Sequence, residues 1–413
     1  MQLIVFEDAQ TKNLLPLVYA RAVFDLRCGL DTLLDKIETA FDRPADALFI
    51  RPSMAPAMAE RQSRPVNHLP DGDNQLWING RLLVREPFDL PQAAAAWQGD
   101  ALLAARIDAK TAAQLADKTP QDSATLKAAL AACRNVDLPT AAAVLVNHPW
   151  QLVHQNADEI ARQCRRAGPS RPRLGRVDPD TILLNESAIH LGKGSRIQPT
   201  AVLDAENGPI HIGRNVTVGP HVSIVGPCAI GDNCLIRPGA HLADSSIGPV
   251  CKIGGEVEET IFQGHANKQH DGFLGHSYVG RWVNLGADTV NSDLKNTYGP
   301  VRVPINGRPV DSGETFVGAF IGDHAKTGIN VTLPTGCVIG FASNVLLSRT
   351  APKFVPSFTW LTDEKIEVND PQRALAVAKK VMARRNQKLT GVEEALFLSI
   401  AEEARHCEAR SNG

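Results

Sequence analysis

The chain lacks the usual markers of several large protein classes. Its eight cysteines, at 28, 133, 164, 228, 234, 251, 337 and 407, include no CxxC pair, which removes the commonest redox and zinc spacings. The opening residues show no charged region followed by an apolar core, and no apolar run approaches the ~20 residues that a membrane-spanning helix needs. Charge is nearly cancelled: 43 basic against 45 acidic residues give −2, so no global pull toward nucleic acid or an anionic membrane exists. These absences point to a cytoplasmic protein with small-molecule partners, no nucleic acid, no membrane and no metal centre. At 413 residues the chain exceeds the size of one compact core, so two domains and a tail are expected.

What is present is a period of six. Ile212, Val218, Ile224, Ile230, Ile236 and Leu242 recur at six-residue steps, after an earlier run of Leu191, Ile197 and Leu203. A helix repeats at three and four and a half-buried strand at two, so neither alone explains the period. A three-sided coil does, with one branched side chain per hexad stacked inside. A second run comprises Val279, Leu285, Ile321, Thr327, Leu333, Ile339 and Val345. The step from Leu242 to Ile247 is five and reads as a corner insertion, while about 255–278 and about 291–315 read as irregular loops that leave the coil. A left-handed parallel β-helix of hexapeptide repeats is expected over 181–350.

Residues 1–165 read as an α/β domain: an apolar strand Leu3–Phe6, an amphipathic stretch near 29–41, short apolar runs at Trp77-Ile78 and Ala141–Val146, and an Ala-rich helical segment 92–131. Pro, Gly and charge mark 166–180 as a linker. The tail, 351–413, carries helices at 370–387 and 392–408 that cap or flank the coil.

Three stretches carry a resemblance: Arg237-Pro238-Gly239-Ala240, His270-Asp271-Gly272-Phe273-Leu274-Gly275, and Asn284-Leu285-Gly286-Ala287-Asp288-Thr289. With Leu15-Pro16-Leu17-Val18-Tyr19-Ala20-Arg21 and Trp77-Ile78-Asn79-Gly80-Arg81 in the first half, the chain resembles the bifunctional N-acetylglucosamine-1-phosphate uridyltransferase/glucosamine-1-phosphate acetyltransferase family, in its branch of sugar nucleotidyltransferases. The resemblance implies acetyl transfer from acetyl-CoA to an amino-sugar 1-phosphate and a UDP-N-acetylglucosamine-like product made with UTP or another NTP. It also implies a homotrimer. By it, His270 is the general base, a role an imidazole fills near neutral pH. Arg237 binds phosphate, and Asn284, Phe273 and Asp293 meet the sugar. Gly322, Lys326 and Thr327 lie on the coenzyme A wall. The sequence departs from the family where a second phosphate-binding lysine is replaced by Thr260, a tyrosine by Phe273 and an asparagine by Asp293. In the first half the loop Glu7–Asn13 has no phosphate-cradling glycine. Either Arg21 and Arg27 hold phosphates with a magnesium ion beside Asp8, or that domain binds without transferring.

Two other readings remain open at this point: a trimeric scaffold without acetyl transfer, and a γ-carbonic-anhydrase-like zinc enzyme using His265, His270 and His276.

Overall fold

The computed structural model describes residues 1–116, 122–166, 168 and 174–408. Two compact units divide it: Met1–Leu26, Asp31–His148 and Thr390–Ser399 form one, and Arg27–Leu30, Pro149–Leu389 and Ile400–Gly413 the other.

In the first unit a six-stranded sheet runs in the order Ala47–Phe49, Gln2–Phe6, Gln75–Asn79, Ala101–Ile107, Ala94–Gln98 and Arg134–Val136. The first three strands are parallel, and Ala101–Ile107 is antiparallel to both of its neighbours. Phe49 and Trp77, with ring centroids 4.8 Å apart, anchor a core that also holds Ile4, Phe6 and Leu102. The expected helix near 29–41 is Leu33–Phe41, opened by a Thr32/Asp35 capping box. The Ala-rich segment overturns its expectation. Residues 94–107 form a β-hairpin, and among the described residues of the segment only Ala109–Ala116 and Ser123–Ala129 are helical. Ala94, Ala95, Ala96, Ala104 and Ala105 are fully buried, where tertiary packing outweighs helix propensity. The part of the expected helix at 117–121 lies outside the described residues.

The second unit is a three-faced parallel β-solenoid that begins at Arg176–Val177. Face 1 stacks Arg176–Val177, Arg196–Ile197, Thr217–Val218, Leu235–Ile236, Lys252–Ile253 and Asn267–Lys268. It continues through single bridges Asn267↔Asn284↔Lys326 into Lys326–Thr327, Asn344–Leu346 and Thr359–Thr362. Face 2 runs from Ile182–Leu184 to Phe273–Gly275, and face 3 is nine-stranded, from Ile189–Leu191 to Phe354–Val355. The solenoid thus passes 350. The residues expected inside, among them Ile212, Val218, Ile224, Ile230, Ile236, Leu242, Ile321 and Ile339, are all buried in one continuous core. Helices Pro371–Ala383 and Gly391–Cys407 follow.

Two sequence readings are corrected here. The five-residue step at 242–247 is a shortened corner, since Ser245 and Ser246 carry the chain directly into face 3. And 255–278 is regular coil, with Val257, Phe262, Lys268, Leu274 and Val279 on the inside. The hexad pattern hides it because a lysine holds an interior slot and three steps are short: four residues from Ile253 to Val257, and five from Val257 to Phe262 and from Leu274 to Val279. The stretch 291–315 does leave the coil, as the hairpin Arg302–Ile305/Arg308–Asp311.

Candidate functional site: a corner and the face beside it

The corner between faces 1 and 2 brings the expected residues together. Arg237 follows the strand Leu235–Ile236, and its backbone N–H donates to Ile253 O at 2.7 Å; Gly254 N–H donates in turn to Lys268 O at 2.6 Å. Arg237 therefore lies two strand steps below the corner of His270, about 9–10 Å along the axis. Both side chains are exposed. A Cβ on Gly254 would stand 2.5 Å from Gln269 O and 3.2 Å from Arg237 Cβ, so only glycine lets these three coils stack. The intervening corner is short as well: the interior residues Ile236 and Leu242 are six apart, as are Lys268 and Leu274, but Ile253 and Val257 are only four apart. With fewer residues it projects less, leaving a notch bounded by Arg237 and His270.

Face 2 forms the adjoining wall. Phe273 pairs with Glu256, and Gly275 with Glu258. A Cβ on Gly275 would meet Asp293 Oδ2 and Phe273 Cζ, each at 2.5 Å, so glycine is the floor on which the Phe273 ring and the Asp293 carboxylate both rest. Asp293 Oδ2 lies 2.9 Å from His276 Nδ1, and Glu259 Oε2 lies 2.7 Å from His276 Nε2. Burial alone lowers the pKa of this imidazole, but the hydrogen bonds and charges of Asp293 and Glu259 outweigh it and raise the pKa to about 9. Phe316 stacks on the ring at 5.2 Å. Nearby, burial followed by the charges of Glu259 and Glu258 raises Asp244 to about 6.

Asn284 is exposed on the outer column of face 1 and accepts from Asn267 Nδ2 at 3.3 Å. One, two and three coils higher on that column, Lys326, Asn344 and Trp360 line a cavity of about 500 Å³ together with His324 and Arg373. Burial lowers Lys326 to about 8, and its Nζ donates to His324 O at 2.8 Å. The carboxylates in that wall are engaged elsewhere, Glu367 by Lys365 and Asp370 by the N–H of Arg373. The other two expected coenzyme residues face inward. Thr327 Oγ1 lies 2.7 Å from Thr289 Oγ1 and accepts from Gly286 N–H, and a Cβ on Gly322 would stand 2.9 Å from Phe341 N. Thr260 is fully buried and donates to Glu258 O and Leu274 O.

The expected nucleotide residues do not assemble as the sequence suggested. Both oxygens of Asp8 are taken by the buried guanidinium of Arg81, at 2.9 Å from Nε and 2.5 Å from Nη2, with Asn79 Nδ2 adding 2.8 Å. A magnesium ion does not fit this carboxylate, whose lone pairs already face N–H donors. Arg21 is 3% exposed and donates to Leu17 O. Arg27 belongs to the solenoid's unit, where its backbone N–H donates to Tyr278 Oη at 2.8 Å. The loop after the first strand is a 3-10 turn, Ala9–Leu14, capped by Asp8.

Within a single chain the three histidines of the zinc reading do not converge. His265, His270 and His276 occupy three different corners of one coil, and His265 Nδ1 lies 3.2 Å from the Arg281 guanidinium. Burial, then Arg281 and Arg385, lower His265 to about 4. Among the described residues no three His, Cys, Asp or Glu side chains are grouped to hold a metal ion.

Sequence reasoning missed Lys268, Arg81 and the His276 pairings. Lys268 and Arg81 become visible only once the burial of their positions is known.

The chain thus carries a mixed α/β unit and a three-faced parallel β-solenoid. Comparison with known proteins gives its particulars. Residues 3–168 match the sugar nucleotidyl transferase family and residues 209–244 the bacterial transferase hexapeptide family. The bifunctional sugar-1-phosphate nucleotidylyltransferase/acetyltransferase of Sulfurisphaera tokodaii is 36% identical over 112 residues, 27% of this chain and 27% of that protein. The bifunctional protein GlmU of Acaryochloris marina is 31% identical over 182 residues, 43% of this chain and 34% of that one. The chain therefore spans about a third or less of the length of these two relatives. Among solved structures, an Arabidopsis UDP-N-acetylglucosamine acyltransferase covers 52% of this chain and 78% of its own, at 13% identity and a TM-score of 0.31. The membrane is not crossed by any helix of the described residues, none being long and apolar enough.

Proposed function

We propose that the solenoid transfers an acetyl group from acetyl-CoA to the amine of an amino-sugar 1-phosphate, with His270 as general base. The amine nitrogen attacks the thioester carbon, the C–N bond forms and the C–S bond breaks. His270 takes the proton the amine loses and returns it to the departing thiolate, so the products are an amide and a free thiol. The observation that carries this reading is the notch with Arg237 below and His270 above. An arginine fork suits a phosphate, and an imidazole on the same corner two strand steps away suits removal of a proton from the neighbouring amine. Phe273 offers the sugar a flat wall, and Asp293 reaches it already paired with His276. Asn284 marks the way from the notch toward Lys326, whose desolvated amine beside Trp360 and Arg373 fits the phosphates and ring of coenzyme A. Nucleotidyl transfer with UTP or another NTP is proposed for the first unit on the strength of its relatives, through groups other than Asp8. The protein acts in the cytoplasm as a homotrimer.

The test is a panel of amino-sugar 1-phosphates with acetyl-CoA, read by thiol release. His270→Ala should lower turnover at least ~100-fold, the loss typical of a missing base, with the circular dichroism spectrum unchanged. Wild-type turnover in that variant would remove the assignment.

A further inference from the structure

Stacked inside face 1 is a ladder of Val177, Ile197, Val218, Ile236, Ile253, Lys268, Leu285, Thr327, Val345 and Leu361. One rung is a lysine. Lys268 is 1% exposed, between Ile253 and Leu285, in a slot where an aliphatic side chain would carry no desolvation cost. Its presence therefore calls for a purpose other than coil stability.

The Nζ contacts show one. Lys268 Nζ donates to Gly254 O at 2.8 Å and to His270 O at 3.1 Å. One coil below, the carbonyl equivalent to Gly254 O is satisfied by its own turn, Arg237 O accepting from Ala240 N–H, and so it is two coils above, where Gly286 O accepts from Thr289 N–H, each at 3.2 Å. The short corner at Gly254–Gly255 replaces that local donor with the lysine. Gly255, at φ +69°, clears the path, since a Cβ there would stand 2.7 Å from Nζ. The ammonium thus ties the short corner to the backbone of the candidate base in the next coil. The charged groups acting on it are Asp271, Asp288 and Glu256.

We propose that Lys268 is a positioning residue for acetyl transfer, an ammonium held in the solenoid interior to fix the corner that carries His270 above the notch. This rests on His270 acting as the base. The shared hydrogen bonds hold the His270 backbone in one place, and so set the reach of its imidazole. Burial lowers the lysine to about 8, a cost only partly offset by the three carboxylates, so the charged clamp weakens as pH rises past that value.

The experiment compares the full-length wild type, Lys268→Met and His270→Ala in acetyl transfer to glucosamine 1-phosphate, from pH 6.5 to 9.5, alongside thermal melts. Lys268→Met should melt within a few degrees of the wild type, the relieved desolvation offsetting the donor lost at Gly254 O, yet lose at least tenfold in kcat with its KM for acetyl-CoA within twofold. The wild type should lose kcat on an alkaline limb near pH 8 that is missing from Lys268→Met. A residue serving only the fold would instead lower the melting temperature and leave the pH profile alone. Lys268→Met with wild-type kcat, while His270→Ala is inactive, overturns the positioning role and leaves the base intact. His270→Ala with wild-type kcat overturns both. Should Lys268→Met fail to fold, the wild-type profile decides: a kcat flat from pH 7 to 9.5 overturns the proposal.

Discussion

His276 should make the solenoid's stability fall on the alkaline side, by an amount its two carboxylates determine. A pKa raised from 6.5 to about 9 is worth roughly 3 kcal/mol at 1.36 kcal/mol per unit. Glu259, one of the two partners, has a side chain 43% exposed, so solvent screening brings the figure to about 2 kcal/mol. The sign follows from proton binding. Between pH 6.5 and 9 the folded imidazole keeps a proton that the unfolded one releases, so stability falls as pH rises. The contribution is whole below about 6.5 and is lost through 9. Asp244, raised to about 6, titrates below that window. Melts followed by circular dichroism from pH 6.5 to 9.5 should show the wild type losing about 4–8 °C relative to His276→Gln, taking 2–4 °C per kcal/mol for a unit of this size; Lys268 and Lys326, each lowered to about 8, favour the folded state as pH climbs past 8 but do so in both proteins alike. His276→Gln should melt lower at pH 6.5, and the gap should close toward pH 9.5. Parallel curves for the two proteins across the window would refute the reasoning, because the pairings with Asp293 and Glu259 would then carry no net charge energy.

Two further outcomes concern the ligands. Arg237→Ala should raise KM for the sugar phosphate about tenfold or more and leave that for acetyl-CoA within twofold, because a contact made alike in ground and transition states shows as KM; equal effects on both would show Arg237 misassigned. Lys326→Ala should do the reverse, weakening acetyl-CoA about tenfold, which equilibrium binding of coenzyme A would also register; an unchanged affinity would place the coenzyme elsewhere.

The period of six made the solenoid legible, because an interior that admits one side chain per hexad writes its constraint directly into the sequence. It failed where the interior rule is relaxed. Lys268 reads as a surface lysine until its strand is seen to pair with Lys252–Ile253, and the four-residue step to Val257 breaks the count just where the notch forms. Arg237, His270 and Asn284 are expected from the resemblance alone, and the stacking brings Arg237 and His270 onto one corner with Asn284 on the adjoining face. Thr327 lies inside where the six-residue run puts it, so the coenzyme role given to it and to Gly322 rests on the resemblance alone. In the first unit, Asp8 looked like a metal ligand for want of its partner: Arg81 is distant in sequence, and two strands of the sheet have to pair before the two side chains meet. The alanine hairpin was missed because those residues are chosen for size under a crowded sheet, and composition alone reads as helix.

Parallel stacking has one more consequence. Outward groups on a single face can be separated only by whole multiples of the strand repeat, so Asn267, Asn284, Lys326, Asn344 and Trp360 act as graduations on a ruler with a pitch of about 4.8 Å. A molecule laid along it is gauged by length before its chemistry is tested. Altering which lengths fit therefore means gaining or losing an entire coil, a change the rest of the solenoid can absorb because each coil packs only on its neighbours.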